Sequence, residues 1–153
     1  MTTDRLRYDQ LAPTPFRALL ALSESVHASS LGARLVDLVL LRVSQINGCA
    51  FCMDMHWRDL IAKGEQARVL NTVAGWRESP FFSARDRAAL LFAERMSRIP
   101  QGEPEAGELQ ARWIAEAQAE FTDVELAELG FVVGVIQVWN RLNVMFGMPV
   151  PEG

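Results

Sequence analysis

Leu41-Arg42-Val43-Ser44-Gln45-Ile46-Asn47-Gly48-Cys49-Ala50-Phe51-Cys52-Met53-Asp54-Met55-His56 reads as two helices with a sharp stop between them. Leu31, Leu35, Leu38, Leu41 and Val43 recur at helical spacing up to Asn47-Gly48, and glycine there can take the left-handed conformation that ends a helix. A second helix is predicted from Cys49 to Gly64. On it Cys49 and Cys52 stand three residues apart, and Cys52 and His56 four. At about 100° of rotation per residue all three share one stripe.

The rest of the chain repeats the helical pattern. Thr14-Pro15 reads as an N-cap followed by proline, opening a helix that carries Phe16, Leu19, Leu20, Leu22 and Val26. Ser29 or Ser30 is expected to cap the helix that ends at Gly48. A short segment follows over 65–74, then a loop from Gly75 to Pro80. Ser83-Ala84-Arg85-Asp86 and Thr122-Asp123-Val124-Glu125 are capping-box patterns. They predict helices running to just before Pro100 and to Phe146, with one more near Leu109–Ala119. Pro100 to Gly107 is the most linker-like stretch, but it is too short to divide the chain. The expectation is one all-α domain over 1–153 with about seven helices.

Composition narrows the function. The chain has 153 residues, of which 50% are hydrophobic and 22% charged, with a formal net charge of −4. That length can bury a sizeable core without disulfides. The acidic balance argues against a nucleic-acid partner. No apolar run long enough to span a membrane appears, nor does an apolar leader, so a cytoplasmic protein without membrane contact is expected.

The cysteine–histidine stripe carries the chemistry. Cys49 falls in the first turn of its helix, where free N–H groups and the helix dipole favour a thiolate. A C-x-x-C at that place can close and open reversibly. Two other readings stay open at this stage: small core cysteines, and a structural zinc whose remaining ligand is His27 or Asp37. Haem attachment fails, because Met53 stands where histidine is required. A thioredoxin fold fails, because the context is helical.

The segment Leu41–His56, continued by Gly64-Glu65, resembles the core of the alkylhydroperoxidase AhpD-like proteins of the carboxymuconolactone decarboxylase superfamily. Phe82 to Leu90 and Val138-Trp139-Asn140-Arg141 extend the resemblance over most of Leu31–Pro149. It implies a thiol-dependent peroxidase that reduces organic or hydrogen peroxide through a Cys49/Cys52 dithiol–disulfide cycle. It also implies Cys52 as the peroxidatic thiol, Cys49 as proton donor and resolving thiol, and His56 as the group assisting deprotonation. Asp37 is the relay acid where the family usually has glutamate, and its shorter side chain predicts a water bridge to the histidine or a weaker relay. Gln137 replaces an asparagine usual before the tryptophan. No cofactor or metal is implied; the electron donor is an unspecified dithiol or protein reductant. The alternatives are a cofactor-free decarboxylase-like enzyme and a non-enzymatic redox-sensing dithiol protein.

Other residues read as structural. His27 is expected to be a surface or core histidine, and Arg141 a buried tie between the last helix and the site helix. Gly130 and Gly134 are read as marks of close helix approach. Lys63, the single lysine, carries no functional reading. The runs Leu38-Val39-Leu40-Leu41 and Gly130 to Ile136 are apolar on all sides, so a homo-oligomer, a trimer or hexamer, is expected.

Overall fold

A computed structural model describes residues 5–99 and 106–152. Pro100–Glu105 of the linker-like stretch lie outside the described residues. Among the described residues all regular structure is helical: α1 (Tyr8–Leu11), α2 (Pro13–His27), α3 (Ala33–Asn47), α4 (Ala50–Ala62), α5 (Ala67–Asn71), a 3-10 turn (Val73–Gly75), α6 (Ala84–Ser97), α7 (Ala106–Ala117) and α8 (Asp123–Met145). The seven expected helices are all present. The addition is α1, a single turn too short to leave a periodic signature. None of these helices is long and apolar enough to cross a membrane.

α3 is the centre of the molecule and packs against α4, α6 and α8. Every residue from Leu35 to Leu41 is buried, which accounts for a run that is apolar on all sides. That run is satisfied inside the chain itself, so it does not call for a second copy. α8 supplies the opposing wall through Leu129, Val132, Val133, Val135 and Ile136, all buried. Arg42 and Trp76 both donate to the Glu94 carboxylate, fixing α3 against α6.

Both capping boxes form as predicted, Ser83 with Asp86 and Thr122 with Glu125. Two helix starts differ. α2 begins at Pro13, one residue before the expected cap, because prolines at the first turn lack only an N–H that would have no helical partner. α3 begins after Gly32, whose φ of 86° turns the chain, so neither serine caps it. Ser30 instead donates to Glu128 on α8.

The α3–α4 corner places the site. Gly48 adopts φ 67°, and its N–H closes the end of α3 on the Gln45 and Ser44 carbonyls. Cys49 follows in extended conformation as the N-cap of α4, and its sulfur accepts the Cys52 N–H at 3.4 Å. Gly48→Ala forces a Cβ into the left-handed region, although the space around it is open. We expect a loss of about 1 kcal/mol, read as a thermal midpoint lower by about 2–4 °C; an unchanged midpoint contradicts this account of the corner.

Candidate active site

Both cysteines are free and buried. A cavity of about 350 Å³ reaches one of them: Cys52 lines it together with His56, His27 and Asn143, and Cys49 is not among its lining side chains. Tyr8, Phe16, Phe51 and Trp139 give its apolar walls four aromatic faces, and the partly exposed Leu20 and Met55 also line it.

Burial pushes the Cys52 thiol up to about 12, and the neighbouring Cys49 adds to the shift. Amide donors oppose it. Asn143 Nδ2 donates to Cys52 Sγ at 3.3 Å, and Asn140 works in the same direction. The Tyr8 hydroxyl donates to Asn143 Oδ1 at 2.7 Å. That contact fixes the orientation of the amide, since only its NH₂ end is left to face the sulfur. Asn143→Leu keeps the volume but removes the donor. We expect alkylation of Cys52 near pH 8 to slow by roughly tenfold, a loss of about 1–2 kcal/mol of hydrogen bonding to a charged acceptor. An unaltered pH profile of alkylation would show that the amide does not stabilise the thiolate.

Asp37 lies fully buried in the second turn of α3 and gathers basic side chains around it. His27 Nε2 stands 2.9 Å from Oδ1, and Lys63 Nζ stands 2.7 Å from Oδ2. Burial works to raise the Asp37 carboxyl, but the His27, His56 and Lys63 side chains together hold it far below the usual carboxylate range. In return Asp37 raises both His27 and Lys63. His56 Nδ1 faces the same Oδ1 at 3.6 Å and Asp59 Oδ2 at 3.8 Å, and neither ring nitrogen has a hydrogen-bond partner. A gap of 3.6 Å is longer than a hydrogen bond, yet shorter than the roughly 4.5–5 Å that two bonds through a water need. The expected water bridge therefore does not fit at this spacing.

The sequence reading thus brings Cys49, Cys52, His56 and Asp37 into one neighbourhood. It missed His27, Lys63, Asn143 and Tyr8. His27 is neither a plain core nor a plain surface histidine, because it binds the relay acid and lines the cavity. Arg141 is exposed and bonds only to Gln137 on its own helix, so the buried tie is made by others. Asn140 bonds Ser44 on α3, and Asn47 donates to both Gln137 and Asn140. Gln137 thereby has a defined structural role.

Among the described residues, Asp37, His56 and Asp59 bring three potential metal donors within 4.8 Å of one another. Neither sulfur belongs to that set, so the zinc arrangement built on the cysteines is not formed. The Lys63 ammonium already pairs with one Asp37 oxygen and the His27 ring occupies the other, which suits a hydrogen-bonded ion-pair cluster better than a cation site.

Comparison with known proteins gives the family and the fold. Residues 13–95 match the carboxymuconolactone decarboxylase family. The uncharacterized protein YdfG of Bacillus subtilis (strain 168) is 29% identical over 145 residues, 95% of each chain. The uncharacterized protein YnjA of Escherichia coli (strain K12) is 32% identical over 113 residues, 74% of this chain and 59% of its own length. The crystal structure of ATU0492 from Agrobacterium tumefaciens, a protein of unknown function suggested to be the antioxidant defence protein AhpD, superposes with a TM-score of 0.84 at 33% identity. It covers 97% of this chain and 99% of its own. An uncharacterized peroxidase-related protein from Ralstonia eutropha JMP134, described as an alkylhydroperoxidase AhpD core, shares the fold with a TM-score of 0.78 at 21% identity, over 94% of this chain and 74% of its own. The chain is an AhpD-like member of the carboxymuconolactone decarboxylase family.

Proposed function

We propose that the protein is a thiol peroxidase in which Cys52 attacks the peroxide and Cys49 resolves the product. The observation that carries this reading is that the cavity opens onto Cys52, beside His56, and not onto Cys49. The Cys52 thiolate attacks the hydroxyl oxygen of ROOH. The S–O bond forms, the O–O bond breaks, and RO⁻ leaves to be protonated to ROH. Cys49, whose sulfur already touches the Cys52 backbone N–H, then displaces hydroxide from the sulfenic acid. A disulfide and water result. An external dithiol returns both sulfurs to thiols.

The aromatic walls favour an organic hydroperoxide over hydrogen peroxide, because apolar surface of that extent gains only from covering an apolar body. The test is a count of free thiols before and after one equivalent of cumene hydroperoxide. A fall from two to none, with sustained consumption once a dithiol is added, supports the reading. Two intact thiols overturn it. Oxidation without sustained turnover would make the pair a sensor.

For a partner we propose a second copy of this chain, seated on α8. Val124, Phe131, Val138 and Met145 recur every seven residues on its outer side, all exposed, with Phe131 at 62%. Ala127 and Gly134 lie between them, and among the described residues nothing outside the helix's own backbone stands within 4 Å of a Cβ built on Gly130 or Gly134. The glycines therefore do not serve close approach inside the monomer. They leave holes at the spacing that a knob such as Phe131 from another α8 would fill. Light scattering at micromolar concentration should give a multiple of the 17.1 kDa chain mass; a monomer mass independent of concentration contradicts it.

A further inference from the structure

Tyr8 and Phe16 line two cavities. One is the cavity of about 350 Å³ that reaches Cys52. The other is a groove of about 630 Å³ between α2 and α8, walled by Leu19, Leu22, Val138, Leu142 and Phe146. Along α8 the two linings are neighbouring stripes of residues four apart. Val135, Trp139 and Asn143 face the inner cavity, and Val138, Leu142 and Phe146 face the groove. The shared rings bridge them. Phe16 packs edge-on against Trp139 at 5.8 Å, and Tyr8 lies 5.4 Å from Phe146, with 6.2 Å between Tyr8 and Phe16.

The lining of the groove restricts what can occupy it. It includes no charged side chain, and its one polar group, the Tyr8 hydroxyl, is already bonded to Asn143. The interiors of α2 and α8 satisfy their own backbone groups, and Pro13 and Pro15 remove donors from the first turn of α2. A peptide laid here would leave its N–H and C=O groups without partners. A plain hydrocarbon chain has no such groups to satisfy and gains from every methylene covered. The inner cavity is also near the small end of ligand cavities, roughly 300–1,000 Å³, so a long chain with its head at Cys52 needs further room.

We propose that the groove holds the tail of the substrate. The ligand is a hydroperoxide on a long unbranched hydrocarbon chain, with its –OOH group at Cys52 and its chain running past Tyr8 and Phe16 to lie between α2 and α8. The proposal rests on the peroxidase reading for the reactive head and adds the body of the substrate. Tyr8 belongs to α1, a single turn with no buried residue, so its ring can shift to pass a chain without disturbing the core. The outer stripe of α8 on which a second copy is seated meets this groove only at Val138.

The test is a chain-length series on the full-length reduced protein. With primary alkyl hydroperoxides from hexyl to decyl, kcat/KM should rise about threefold per methylene, close to 10²-fold across the series. Ala18 is exposed and lines the groove but not the inner cavity, so Ala18→Trp fills the groove without touching the site. That variant should flatten the series while leaving cumene hydroperoxide unchanged. Leu22→Gln, which sets an amide among the apolar walls, should flatten it too. A wild-type series level to within about twofold overturns the proposal, as does a full slope retained in both variants. A change of molecular mass in Ala18→Trp with the slope intact makes the groove a contact between copies and overturns it as well. Calorimetry with 1-hexanol and 1-decanol repeats the comparison without any peroxide, and decanol should bind at least tenfold tighter. Failure of the peroxidase reading shows separately, as thiols that survive cumene hydroperoxide.

Discussion

Cys52→Ser is expected to abolish peroxide consumption, a loss of roughly 10³-fold or more, because a serine oxygen cannot be oxidised in place of the sulfur and no other thiol lines the cavity. Cys49→Ser should behave differently. Cys52 still meets the peroxide in the cavity and is still oxidised, but no thiol is in place to displace the hydroxyl group. The sulfenic acid should then accumulate after a single turnover and be captured by a 1,3-dione probe, with the adduct located at Cys52 by fragment mass spectrometry. Substitution at the N-cap is also mild for the fold, since serine can accept the Cys52 N–H that the sulfur now accepts. Capture at Cys49 in the Cys52→Ser protein, to the same extent, would reverse the two roles.

The division between the cysteines was only half legible in the sequence. Spacing puts Cys49, Cys52 and His56 on one stripe, and Gly48 fixes where that stripe begins. Those features are local, and they survive folding. Access is not local. Cys52 meets the cavity because α1, α2 and α8 supply Tyr8, Phe16, Val135 and Trp139 from distant parts of the chain. His27 escaped for the same reason. It closes α2, ten residues before Asp37, and no periodicity links a helix end to the second turn of the next helix across a break at Gly32. Asn143 stands one turn beyond Asn140 and is buried like it, so the polar pair within an apolar helix was a usable signal. Arg141, the charged residue between them, faces solvent. The run 38–41 misled in another way: apolar residues on all sides of a helix mean a central helix as readily as a shared surface, and only the packing of α4, α6 and α8 around α3 decides between them.

Removal of His56 is expected to cost more activity than neutralisation of Asp37, even though Asp37 is the more deeply embedded. With burial pushing the Cys52 thiol well above its ordinary value, very little of it carries the thiolate at pH 7 without help. A thiolate of high pKa is a better nucleophile, which recovers part of that deficit, but not most of it. A base that takes the proton as the sulfur attacks is therefore the larger factor, and His56→Ala should lower turnover by roughly 10²-fold or more. Asp37→Asn leaves that base in place and weakens only its orientation, so about tenfold is expected for turnover. Its principal effect is on stability, because it leaves His27 and Lys63 facing a neutral amide. We expect a loss of about 2–4 kcal/mol, toward the lower end of what a broken buried pair costs since both partners are partly exposed. The sign with pH follows from the two shifts. Asp37 is lowered, so its contribution holds above the ordinary value of 3.8 and fades as pH falls below it. His27 is raised, so its contribution holds below 6.5 and fades as pH rises through its higher folded value. Urea unfolding of Asp37→Asn against wild type should therefore show the widest gap between those two values and a narrowing on either side. If Asp37→Asn loses more turnover than His56→Ala at a pH where both remain folded, the carboxylate does chemistry of its own and acts as more than an orienting group for His56.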